Sequence, residues 1–199
     1  EPDVAAFLSC WVYEEHFHGR ALERFAQAHG GADAPKRDAV KRQAQQGRFA
    51  KWVKNTGTKV IARISPDFAA VHMTWGAVNE LTTLTGYEQL AKRTEHPVLR
   101  ELLGRIVKDE RRHFAFYYNQ AEMRLAKSPR QQRITRWLMD RIWRPVGSGE
   151  FPEPDVVSSG AYVFGSKEGR QAVDELEATI GNLPGMTGWN RLSTRLGLA

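Results

Sequence analysis

Apolar residues return along this chain in alternating steps of three and four, the spacing that places them on one face of an α-helix. From about Asp3 to His29 the recurring positions are Val4, Leu8, Trp11, Leu22 and Phe25, and Gly30-Gly31 closes the segment. A second segment, roughly 67 to 93, opens at Pro66-Asp67 and carries Met73, Gly76, Glu80, Thr83 and Tyr87 on one face, until His96-Pro97 breaks it. A third runs from about Val98 to Lys127 along Leu99, Leu103, Ile106, Glu110, His113, Tyr117 and Ala121, and stops at Ser128-Pro129. Pro35 to Lys59, Gln131 to Trp143 and Lys167 to Ile180 predict further helices, the first two of them basic. Pro145 to Gly160, rich in Pro, Gly and Ser, predicts a linker or extended loop, and the residues after Ile180 a short tail. Nothing alternates cleanly enough for a sheet, so the fold class is all-α. The expected organisation is a helical core over 1–128 and a C-terminal helical extension over 129–199, with the Pro/Gly-rich linker near 145–160.

Three of these stripes carry a polar residue where the pattern demands a core one. In the first helix the missing members are Glu15 and His18, three residues apart and so one turn apart on the same face. Glu110 and His113 repeat the arrangement in the third long helix, and Glu80 sits in the stripe of the second. An ionised carboxylate buried without a partner is costly enough to neutralise instead. Three Glu and two His meeting in one bundle core therefore require compensation, which metal cations supply. Five such ligands suit two ions, and oxygen with imidazole nitrogen suits iron or manganese. The di-metal bundle of ferritin-like proteins draws one Glu from each of two helices and Glu-x-x-His from each of the other two. Both Glu-x-x-His pairs and one single Glu are present, and the first bundle helix, with the second single Glu, is expected upstream of Glu1. Each pair also follows an acidic residue, in Glu14-Glu15-His16-Phe17-His18 and Asp109-Glu110-Arg111-Arg112-His113, although only three adjacent acidic pairs exist in the chain. The plainer reading of these residues is a set of solvated helix faces, which their register with the apolar stripes argues against.

Composition narrows the setting. With 199 residues, 41% of them hydrophobic, the chain can bury one sizeable core. It has no apolar run of the roughly 18 to 20 residues that a membrane span needs. A single cysteine, Cys10, excludes an internal disulfide framework, fits a reducing cytoplasm, and reads as a small buried hydrophobe. The net charge of +6 favours an acidic partner. No motif supports nucleic-acid binding.

The segment Trp11-Val12-Tyr13-Glu14-Glu15-His16-Phe17-His18-Gly19 resembles the W-x-x-E-E-N-R-H-G helix of the soluble acyl carrier protein desaturases, the type 2 fatty acid desaturases. Asp109 to His113 resembles that family's D-E-x-R-H helix, and Glu80-Leu81-Thr82-Thr83 its E-x-A-T segment. The likeness spans about residues 1 to 127, with His16-Phe17 standing where the family has Asn-Arg. It implies a ferritin-like di-iron bundle in which Glu15, His18, Glu80, Glu110 and His113 hold two iron ions. It further implies that Thr83 lies beside the dioxygen site, that Asp109 accepts the distal N–H of His18, and that Trp11 lies on an electron-entry route. The implied reaction is oxygen-dependent formation of a cis double bond in an acyl chain, as in fatty acid biosynthesis. The implied partners are an acyl carrier protein, docked by the basic stretch Lys36 to Lys59, a ferredoxin-type electron donor and a second copy in a homodimer. A sister oxygenase, such as a hydroxylase or N-oxygenase, and a non-catalytic ferritin-like protein remain alternatives.

Overall fold

The computed structural model of the protein describes residues 1–30, 68–149 and 151–198. The described chain is all-α: α1 Pro2–Ala28, α2 Phe68–Arg93, α3 Pro97–Leu125, α4 Pro129–Ile142, α5 Glu153–Phe164, α6 Lys167–Gly181 and α7 Arg191–Leu196, with no strand among the described residues. The basic stretch 35–59, read as a further helix and a docking surface, lies outside them.

Helices α2 and α3 form the most extensive pair, because the connection 94–96 is too short to do anything but turn α3 back along α2. His96 caps α3 by accepting from the backbone N–H of Leu99, while Pro97 occupies a first-turn position where its missing N–H costs nothing. One close approach sets the spacing of the pair. At Gly76 an added Cβ would stand 2.3 Å from the Tyr117 ring, so the absence of a side chain on α2 is what lets that aromatic in. Helix α1 lies against α3, with Phe7 stacked on Phe116 at 3.7 Å between ring centroids and edge-on to Tyr117 at 5.5 Å. The α1 stripe Val4, Leu8 and Trp11 is half-buried against the core, and His18 is the residue that α1 buries most completely. Cys10, expected inside, is exposed, one position off that stripe. These are the helices of a ferritin-like bundle.

The C-terminal third folds onto the same core. Trp143, fully buried after α4, donates its indole N–H to Asn79 of α2 at 3.0 Å and packs edge-on against Trp189 at 5.1 Å. On α6, Val173, Leu176 and Ile180 face inward, and buried Glu177 accepts both the backbone N–H and the hydroxyl of Ser193 at 2.8 Å each, fixing the start of α7. Asp140 joins Arg136 of α4 to Arg191 of α7. The short tail expected after Ile180 therefore contains α7 and the buried Trp189, Leu192 and Leu196.

The stretch 145–160, expected to be a linker or loop, is helical from Glu153 onward. Proline misleads there because a helix tolerates it in its first turn, where Pro154 stands beside Glu153 and Asp155, whose charges suit the helix N-terminus.

Candidate metal centre

Glu15 and His18 from α1, Glu80 from α2, and Glu110 and His113 from α3 meet inside the bundle. One ligand atom from each of Glu15, Glu80, Glu110 and His113 lies within 4.8 Å of all the others, close enough to hold a metal ion. The Nδ1 of His113 is 3.4 Å from Glu15, 3.5 Å from Glu80 and 3.6 Å from Glu110. The Nδ1 of His18 is 3.2 Å from Glu110 and 3.6 Å from Glu15. With the ring centroids 6.0 Å apart, the carboxylates of Glu15 and Glu110 stand between the two imidazoles, and Glu80 stands on the His113 side.

The outer nitrogens are held by acids that cross between helices. Asp109 of α3 lies 3.0 Å from Nε2 of His18 on α1, and Glu14 of α1 lies 2.7 Å from Nε2 of His113 on α3. Arg112 reaches both acids, at 2.9 Å from Glu14 and 2.8 Å from Asp109. A carboxylate on Nε2 turns Nδ1 inward and fixes the tautomer, the arrangement that metal-binding histidines use. The Trp11 indole donates to Oε1 of Glu80 at 3.1 Å, which leaves the other Glu80 oxygen toward His113.

Five buried polar atoms of this cluster make no hydrogen bond among the described residues: Oε1 of Glu15, both oxygens of Glu110, and Nδ1 of His18 and of His113. Buried polar atoms rarely go unpaired, and here all five are on carboxylates and imidazoles around one centre. They are close enough for their charges to matter but not aligned as hydrogen bonds. That is the condition a cation relieves, so the donor set fits a metal.

The protonation states agree. Burial alone would raise the Glu15 carboxyl, but His113 and then His18 outweigh it and bring it down to about 2. Burial disfavours the His18 imidazolium, yet Glu110, Glu15 and Asp109 lift it to about 10. The same contest at His113 ends at about 12. Glu80 is raised by burial, drawn down by His113 and raised again by Glu110, to about 7. Without metal, protons on the two imidazoles offset the carboxylates.

Thr83 is half-buried one turn beyond Glu80, and lines a cleft of about 410 Å³ between α2, Pro145 to Gly147, Phe151, α5 and α7. Tyr87, one turn further, lines the same cleft, and burial together with the charges of Glu110, Glu15 and Glu80 pushes its phenol up to about 12. Glu14 and Arg112 were not singled out as site residues from the sequence. The available signal was the acidic residue that precedes the ligand-type Glu in both motifs.

The model of the family described as fatty acid desaturase matches residues 3–145. This chain belongs to the type 2 fatty acid desaturase family. No curated protein and no solved structure matches it significantly. Every member of the Glu/His cluster falls inside the matched region, whereas α5, α6 and α7 lie beyond it. A desaturase-like oxidoreductase function follows at the level of the family, and no described helix is long and apolar enough to cross a membrane.

Proposed function

We propose that this desaturase-family chain is a di-iron, oxygen-dependent acyl-[acyl carrier protein] desaturase that introduces a cis double bond into a fatty acyl chain. The observation that carries the reading is the placement of Glu15 and Glu110 between His18 and His113, where each carboxylate can serve two ions while each imidazole serves one. Two bound iron ions would supply the oxygen-dependent removal of two hydrogens from an unactivated acyl chain.

The residues do the rest. Glu80 would complete the ligand set on the His113 side, with Trp11 holding its Oε1. Asp109 and Glu14 hold the imidazoles in register through their outer nitrogens. Thr83 lines the cleft one turn beyond Glu80, a place from which a hydroxyl can orient oxygen chemistry. Trp11, half-buried on α1 with its indole on Glu80, is suited to electron entry. Dioxygen leaves as two waters, taking two electrons from the C–H bonds and two from an external donor, for which a ferredoxin-type protein is the fitting class. An acidic acyl carrier protein complements the net charge of +6, and Arg20, Arg24 and Arg105 border a cleft of about 640 Å³ between α1 and α3. We place the enzyme in the cytoplasm, as a homodimer.

Iron-loaded protein incubated with acyl carrier protein substrates, ferredoxin, a reductant and oxygen should yield unsaturated acyl chains. A hydroxylase or N-oxygenase on the same scaffold would yield oxygenated product instead, and unchanged acyl chains would contradict both.

A further inference from the structure

Helix α4 turns one face to the core and the other to solvent, and the outer face carries a single sign of charge. Gln131, Thr135, Leu138 and Met139 are buried, while Arg130, Arg133, Trp137 and Arg141 are exposed. Steps of three, four and four place those four on one side of the helix, over roughly 16 Å, with arginine on either side of the indole. Asp140 is the one acidic residue from Lys127 to Arg144, and it is held by Arg136 and by Arg191 of α7. Arg130, Arg133 and Arg141 make no ion pair among the described residues. Helix stability does not explain them all: α4 has no acid in its first turn, and Arg130 stands where the helix dipole disfavours a cation. Beyond the helix end Arg144 is exposed as well, and its charge reaches Arg195 of α7. Trp137 is 55% exposed, the one exposed tryptophan among the described residues, and it lines neither cleft.

We infer that the outer face of α4 docks the protein on an anionic lipid surface, with the arginines against the headgroup phosphates and Trp137 inserted among them. A stable protein partner needs an apolar centre of several residues within roughly 800 Å² of contact, and this convex helix face offers one ring. A second copy docked through the same face would set arginine against arginine. A bilayer asks for less: a row of cations at one depth, and an amphipathic ring whose body enters the headgroup layer while its N–H stays wet. Arginine suits phosphate because its planar fork presents paired donors. The apolar side of α4 is committed to the core through Leu138 and Met139, so the attraction to lipid is chiefly electrostatic and reversible. Asp140, joined to both Arg136 and Arg191, fixes α4 to α7 and so keeps the row turned outward. No member of the row belongs to the metal centre, so lipid docking and metal binding are separable properties.

The test is co-sedimentation of the full-chain protein with vesicles of phosphatidylcholine mixed with phosphatidylglycerol, and with vesicles of phosphatidylcholine alone. The anionic vesicles should carry the protein down and the neutral ones should not, with binding falling as salt rises. Arg133→Gln combined with Arg141→Gln should weaken binding by at least about tenfold. Lys92→Gln combined with Lys167→Gln, the same change of net charge at exposed positions of α2 and α6, should weaken it far less. Trp137→Ala should bind less tightly and lose most of the tryptophan quenching that brominated lipid causes in the parent protein. All five positions are exposed, so circular dichroism of every variant should match the parent. Absence of any preference for anionic vesicles, or equal losses in the two charge pairs, would overturn the inference. So would capture of an acyl carrier protein in place of vesicles, abolished by the Arg133 and Arg141 pair, since the face would then dock a protein.

Discussion

Glu14, near the middle of α1, holds the outer nitrogen of His113 on α3 at 2.7 Å, and Asp109 of α3 returns the arrangement to His18 of α1 at 3.0 Å. Each helix therefore orients the imidazole of the other, using the acid that immediately precedes its own ligand-type Glu. Removing either acid leaves the five candidate ligands in place but frees one ring. Glu14→Gln and Asp109→Asn should each weaken metal binding by roughly 10–100-fold. Competition against a chelator of known affinity checks this, with circular dichroism expected to show unchanged helix content.

Metal uptake should release protons. At neutral pH the metal-free cluster carries protons on His18, raised to about 10, and on His113, raised to about 12, and both must leave when the nitrogens bind metal. Affinity should therefore rise with pH, and calorimetry in buffers of different ionisation enthalpy should report about two protons released per fully loaded chain.

The same shifts set the stability of the metal-free protein. A His whose folded pKa is raised contributes stability that is fully present below its unfolded value near 6.5 and is lost as pH rises, for His18 through about 10. Glu15, depressed to about 2, contributes stability that is present above 4.5 and lost as pH falls toward 2. Glu80 has the opposite sign from Glu15: raised to about 7, its ionisation opposes folding as pH climbs from 4.5. Together these groups predict greatest stability of the metal-free form in the mildly acidic range between 4.5 and 6.5, measurable as thermal midpoint against pH. Metal loading should move that maximum upward, because bound cations replace the imidazole protons.

At Gly76 two effects oppose each other. Alanine gains about 1 kcal/mol of helix propensity over glycine, but overpacking a filled core costs roughly 1–3 kcal/mol. The clash wins here, since the Cβ would stand 2.3 Å from a Tyr117 ring that is buried and held edge-on by Phe7 and Trp11. Gly76→Ala should lower stability in urea denaturation.

Far from the centre, Glu177→Ala strips both acceptors from Ser193 at the start of α7 and should destabilise by roughly 1–3 kcal/mol. Glu177→Gln keeps one acceptor and should lose less.

Much of this centre is legible in the sequence because the chemistry interrupts a regular pattern. Glu15, His18, Glu80, Glu110 and His113 each occupy a position that helical periodicity assigns to the core, and the structure brings all five together. Glu14 carries no such mark. An acidic residue beside another reads as surface until the crossing of α1 and α3 is known. Nor does spacing disclose that the Trp11 indole meets Glu80, a contact across 69 positions that only the packing of α1 on the α2–α3 pair creates. Helix α5 was hidden by its own prolines, which mark a helix start as readily as a loop. Its apolar face makes sense only once α2 lies opposite, so the cleft belongs to tertiary structure alone.

The proposed di-iron function requires two cations that Glu15 and Glu110 would both serve. His113 faces three carboxylates and His18 two, so the two positions should fill unequally. Anaerobic titration of the protein with ferrous ion should end near two ions per chain, in a tighter phase that Glu80→Ala weakens and a looser one that His18→Ala abolishes, with Glu110→Ala impairing both. Uptake of one ion or none, or a stoichiometry untouched by loss of Glu110, would contradict it.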